Sequence, residues 1–117
     1  MRFKNKTVIV TGAGSGIGET TAIKFAQEGA NVVIADIDPI NGNIVTTKIN
    51  DANGSALFVE TDVASFEAIN QMVNKTINEF DLPDILINNA GINVFGEPLS
   101  MPDSEWKRAF SVDLDGV

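Results

Sequence analysis

The chain has 117 residues, 8 Lys and Arg against 16 Asp and Glu, and a formal net charge of −8. With 44% hydrophobic and 21% charged residues it has the make-up of one folded domain, and the acidic balance speaks against nucleic acid and anionic membranes, which bind clustered Lys and Arg. It contains no His, Cys or Tyr, which excludes disulfides, thiolate nucleophiles, cysteine-held metals and every Ser–His or Cys–His pair within these residues.

The N-terminus, Met1-Arg-Phe-Lys-Asn-Lys-Thr7, is basic but leads into only a few apolar residues. A secretory signal needs a longer apolar stretch, and a bilayer span a longer one still, so a cytoplasmic protein without membrane contact is expected. Thr7-Val-Ile-Val10 is brief and β-branched, as a buried strand should be. A glycine-rich turn follows, then Ala22, Phe25 and Ala26 at helical spacing until Gly29 supplies a stop. Asn31–Asp36 reads as a second buried strand. Asp38-Pro39 reads as an N-cap with proline at the first helical position, and Ile40, Ile44, Val45 and Ile49 mark the inner face of that helix.

Asn53-Gly54 turns the chain into a third strand, Ala56–Glu60. Ser65 can cap the next helix, whose Phe66, Ile69, Met72, Val73, Ile77 and Phe80 form an apolar stripe. Leu82-Pro83-Asp84 is a loop and Ile85–Asn88 a fourth strand. Residues 91–102 read as a loop, and a last helix opens near Asp103 with Trp106, Phe110 and Leu114 on one side. Strands alternating with helices imply an α/β fold, a Rossmann-like parallel sheet wound by right-handed crossovers with flanking helices, in one domain over 1–117.

Thr11-Gly-Ala-Gly-Ser-Gly-Ile-Gly18 lies between the first strand and the first helix. Glycines there let the backbone approach a phosphate, and the free N–H groups and dipole of the helix start attract its charge. A P-loop is excluded, because no lysine occurs between Lys6 and Lys24, and G-x-G-x-x-G fails because Ile17 stands where its last glycine belongs. The run fits T-G-x-x-x-G-x-G through Thr11, Gly12, Gly16 and Gly18. Asp36 follows 18 residues beyond Gly18, about where an acid reaches the adenine-side ribose of a dinucleotide. Its other use would be as a loop carboxylate or a helix cap, and Asp38 already takes the cap. A carboxylate facing that ribose repels a 2′-phosphate, and no Arg or Lys stands at 13, 15, 35 or 37 to compensate. NAD is therefore favoured over NADP.

The glycine turn, Asp36, Thr61-Asp62-Val63 and Asn88-Asn-Ala-Gly91, in that order, resemble the short-chain dehydrogenase/reductase family over the whole chain. The resemblance implies strand order 3-2-1-4 for this part of a longer sheet. It implies that Thr11, Gly12, Gly14, Ser15, Gly16, Ile17 and Gly18 bind the pyrophosphate and adenosine ribose of NAD. It implies that Asp36 selects NAD, that Asp62 and Val63 touch adenine, and that Asn89, Ala90 and Gly91 line the ribose and steady the sheet. Side chains bonding neighbouring backbone are the other use of Asn88 and Asn89.

Family members move hydride between nicotinamide and an alcohol or carbonyl, with a Tyr-x-x-x-Lys pair and a Ser handling the proton and an Asn holding a water. These 117 residues lack that Ser–Tyr–Lys set, and Asp113 stands at the Asn position. No catalytic residue and no metal ligand is assigned within them. The expectation is the N-terminal, cofactor-binding portion of an NAD-dependent oxidoreductase of a small alcohol or carbonyl compound, inactive in isolation. A homo-oligomer is expected for a full-length protein, and self-association through the bare fourth strand for a truncated one. A non-catalytic nucleotide-binding module and a truncated relic are the alternatives.

Overall fold

A computed structural model describes residues 2–89. Four strands and three helices alternate: β1 (Thr7–Thr11), α1 (Gly16–Gln27), β2 (Asn31–Asp36), α2 (Pro39–Asp51), β3 (Ser55–Glu60), α3 (Phe66–Glu79) and β4 (Ile85–Asn88). All pairings are parallel and the sheet order is β3-β2-β1-β4, as the α/β reading requires. The loop over 91–102, the helix near Asp103 and Asp113 lie outside the described residues.

The pleat of the strands divides the core. Val8, Val10, Val32 and Ile34 face one side, where Ala22 of α1 and Val45 and Ile49 of α2 cover them. Ile9, Val33, Ala35, Val59 and Leu86 face the other, beneath Ile69, Met72 and Val73 of α3. Side chains of successive strand residues point to opposite faces, so the β-branched runs are buried twice over. That leaves β1, the central strand, wholly enclosed.

The helix starts follow from their sequences. Asp38 Oδ1 accepts from the N–H groups of Ile40 and Asn41 at 3.0 and 3.2 Å, ahead of Pro39 in the first turn. Ser65 Oγ accepts from the N–H of Ala68 at 3.1 Å. Ser65→Ala is expected to cost about 1 kcal/mol of stability, the usual worth of such a cap, read as a lower denaturant midpoint at unchanged slope.

Two apolar stripes differ from expectation. In α2 the buried face runs through Gly42, Val45 and Ile49, and Ile40 and Ile44 are exposed. At about 100° per residue, Ile40 and Ile44 each lie roughly 200° from Gly42. The contact that fixes this rotation is Gly42 against the Phe58 ring, where a Cβ would collide with the ring carbons. In α3, Phe66 keeps the angle of the stripe but opens the helix, and it is half exposed.

At the opposite end, Phe3 meets Phe25 edge-on at 4.9 Å between ring centroids. Hydrogen bonding from the backbone N–H of Arg2 holds the Glu28 carboxyl below its ordinary range, with the Arg2 side chain adding to this.

Candidate functional site

Parallel strands put all their carboxyl ends on one side. Thr11 is in register with Ala35 and Asn88, and Asp36 with Glu60. From β1 the chain crosses to β2 on one flank, and from β3 it returns to β4 on the other. The crevice at such a reversal, outside the strand ends, is where open α/β sheets hold their ligands.

The glycine turn fills the β1 side of that crevice. Gly12 and Gly16 have φ of 63° and 61°, a region that penalises a side chain. Ala13 and Gly14 are buried, whereas Ser15, Gly16 and Ile17 are exposed. Ser15 occupies the N-cap position of α1 but makes no side-chain cap bond, unlike Asp38 and Ser65. The positive end of the α1 dipole therefore reaches the crevice without a bond from its own N-cap side chain, a setting that suits an anion. A Cβ on Gly16 would meet nothing within 4 Å. One on Gly18 would collide with the Gly12 carbonyl oxygen and stand 2.7 Å from Asn89 Nδ2. The turn is thus open outward at Gly16 and packed inward at Gly18.

Asp36 closes the β2 side. Its Oδ2 accepts from the N–H of Gly14 at 2.8 Å and its Oδ1 from the N–H of Asp38 at 2.9 Å. A carboxylate offers about four lone-pair positions, so these two bonds fix its plane and still leave acceptor capacity. The N–H of Thr61 donates to the carbonyl of Asp36 at 2.9 Å, which carries Asp62 and Val63 to the same end. Asp62 is exposed and Val63 half-buried, and Asp62 Oδ1 accepts from the N–H of Ala64 at 3.0 Å.

The β4 side is tied to the turn. Thr11 Oγ1 donates to Asn88 Oδ1 at 2.9 Å, with both residues fully buried. Asn89 Nδ2 donates to the Gly12 carbonyl at 3.3 Å. The structure thus brings Thr11, Gly12, Gly14, Ser15, Gly16, Ile17, Gly18, Asp36, Asp62, Val63 and Asn89 to one end of the sheet; Ala90 and Gly91 lie outside the described residues. Among the described residues no group of acids could hold a metal ion, and no helix is long and apolar enough to cross a membrane.

Sequence reasoning passed over Ile37 and Asn41. Ile37 is exposed beside Asp36, and Asn41 Cβ lies 3.3 Å from where a Gly14 Cβ would stand. Their nearness follows from the immediate passage of β2 into α2 through Asp36-Ile37-Asp38-Pro39, a signal present in the sequence. An anion-receiving helix start next to a fixed carboxylate can hold a phosphorylated sugar at two points, its phosphate at the first and a hydroxyl at the second.

Fold and site together define a doubly wound α/β protein with a glycine turn at the reversal of its sheet. A profile of the family described as short chain dehydrogenase matches residues 6–117, and the chain belongs to that family. It is 38% identical over 122 aligned positions to meso-2,3-butanediol dehydrogenase from Serratia marcescens, covering 100% of this chain and 46% of that one. A hydroxysteroid dehydrogenase from Escherichia coli superposes with a TM-score of 0.75 at 31% identity, over 97% of this chain and 52% of that one. A short-chain dehydrogenase/reductase of unknown function from Caenorhabditis elegans, solved with cofactor, gives a TM-score of 0.70 at 40% identity, over 74% of this chain and 33% of that one. The chain spans about half the length, or less, of the relatives it matches, and corresponds to their N-terminal portion.

Proposed function

We propose that these residues form the cofactor-binding half of an NAD-dependent oxidoreductase acting on an alcohol or carbonyl compound. The observation that carries this reading is the Asp36 carboxylate, fixed by Gly14 and Asp38 beside the uncapped start of α1. Family membership supports a nicotinamide dinucleotide, and the carboxylate favours the form without a 2′-phosphate.

In this reading the amides from Gly14 to Gly18 and the α1 dipole receive the diphosphate charge. Asp36 accepts from the adenine-side ribose, Asp62 accepts from the adenine amino group, and Val63 flanks the ring. Asn89 holds the Gly12 carbonyl and so the turn's position, and the resemblance assigns Ala90 and Gly91 to the ribose. When bound, NAD supplies the ring that takes or gives hydride. The 117 residues contain no Tyr, so the proton-transfer group that the resemblance implies is not among them. The names of the relatives, a butanediol and a hydroxysteroid dehydrogenase, share a hydroxyl as the group acted on and little else, which leaves the substrate class at alcohol or carbonyl.

Calorimetry on the 117-residue chain tests the reading. ADP-ribose and NAD are expected to bind within about tenfold of each other, a difference of no more than about 1.4 kcal/mol, because the adenosine and diphosphate contacts lie here. Absence of binding by either, or NAD tighter by orders of magnitude, overturns it.

A further inference from the structure

A run of hydrogen bonds leads from the first turn of α2 to the glycine turn. Asn41 Nδ2 donates to Asp38 Oδ2 at 2.8 Å, while Asp38 Oδ1 accepts from the N–H groups of Ile40 and Asn41. The Asp38 side chain is thereby locked onto the helix start, and its own backbone is held extended at φ −96° and ψ 103°. That backbone conformation aims the Asp38 N–H at Asp36 Oδ1, 2.9 Å away, and the second oxygen of Asp36 then meets the Gly14 N–H at 2.8 Å. Asp38 holds its own N–H in place through its cap, and with it the plane of the Asp36 carboxylate.

We infer that Asp38 is a positioning residue for dinucleotide recognition: through its cap on α2 it orients Asp36 toward the ribose hydroxyl. This rests on the proposed NAD site and deepens it. Without the cap, only Pro39 and the Gly42 N–H on the Asp38 carbonyl hold this stretch, so the Asp38 N–H is a looser donor to Asp36 and the carboxylate gains freedom about its χ angles. The remaining lone pairs then no longer point one way. A hydrogen bond to a charged acceptor depends steeply on that alignment. Asn at 38 keeps an oxygen of the same reach and caps as well as Asp, so it should preserve the orientation while removing the charge.

The experiment compares binding of NAD and of its analogue lacking the adenosine 2′-hydroxyl, by calorimetry on the full chain. The ratio of the two dissociation constants reads the Asp36–hydroxyl bond and cancels any general loss of fold. The unmodified chain is expected to prefer NAD by about tenfold or more, as a charge-assisted bond implies. Asp36→Ala abolishes that preference. Asp38→Ala is expected to bring it down to about two- to threefold, and Asp38→Asn to leave it near the starting value. Asn41→Ala, which removes one bond to Asp38 and keeps the cap, is expected to lower it partially, and it serves if Asp38→Ala does not fold.

If Asp38→Ala weakens both ligands equally, its role is structural and the inference is overturned. If Asn41→Ala is the only variant that folds, an undiminished ratio overturns the inference in the same way. If the unmodified chain already fails to distinguish the two ligands, the reading of Asp36 as the ribose acceptor fails first, and the two failures are told apart.

Discussion

Replacing Asp36 with Ala is expected to shift the ratio of NAD to NADP affinity by about a thousandfold toward NADP. Charge sets the size of this shift. Two unit charges about 4 Å apart interact by about 4 kcal/mol at an effective dielectric of about 20, and that repulsion between Asp36 and a 2′-phosphate disappears with the carboxylate. NAD itself should bind about tenfold more weakly or worse, having lost a charge-assisted bond to its ribose. The substitution also strands the N–H groups of Gly14 and Asp38, which now donate to Asp36 at 2.8 and 2.9 Å, so some stability will be lost. The ratio is insensitive to that loss because both ligands share it. Calorimetric titration with each dinucleotide gives the ratio directly, and an unchanged value would remove Asp36 from the site.

Gly18→Ala should have the largest effect on stability of any single methyl added to the turn. The added Cβ meets a backbone oxygen, that of Gly12, and the Asn89 amide nitrogen at 2.7 Å. The Asn89 amide is the end of a side chain and can swing aside, but the Gly12 carbonyl is backbone and cannot yield cheaply. To make room, α1 must move away from β1 or the turn must open, and overpacking of this kind costs about 2–3 kcal/mol. Gly16→Ala is the informative control. Its φ of +61° carries a penalty of about 1–2 kcal/mol, yet its Cβ enters open space. Thermal unfolding should therefore rank Gly18→Ala as the more damaging, while ADP-ribose binding should suffer from both. Equal melting temperatures for Gly18→Ala and the unmodified chain would show that the described packing is wrong.

Much of this fold is legible along the chain because its punctuation is local. Thr7–Val10, Asn31–Asp36 and Ile85–Asn88 are β-branched or apolar runs closed by glycine, aspartate or asparagine, and they appear as strands at those places. Asp38 and Ser65 are caps by chemistry and by observation. The features that the sequence does not show depend on partners distant along the chain. The rotation of α2, which exposes Ile40 and Ile44, is set by Gly42 against Phe58, and no periodicity within the helix reports a contact on another strand. Spacing gives the expectation that Asp36 faces a ribose, but says nothing of its clamp by Gly14, which spans 22 positions. The Thr11–Asn88 bond spans 77. One use of Asn88 and Asn89 expected from sequence is bonding neighbouring backbone; Asn88 pairs with the Thr11 side chain, and Asn89 with the Gly12 carbonyl 77 positions away.

That last separation bears on how the molecule is made. The strand synthesised first among the four is the one that ends in the middle, and it waits for a neighbour on each side. Its first partner is complete by Asp36, but the ties that steady the glycine turn, from Asn88 to Thr11 and from Asn89 to Gly12, need residues that emerge from the ribosome some 77 positions later. Closing so long a loop is slow relative to local pairing. Until it closes, one side of the turn lacks its hydrogen-bonded support. The nascent chain thus carries its glycine turn well before that turn can be held in its finished shape.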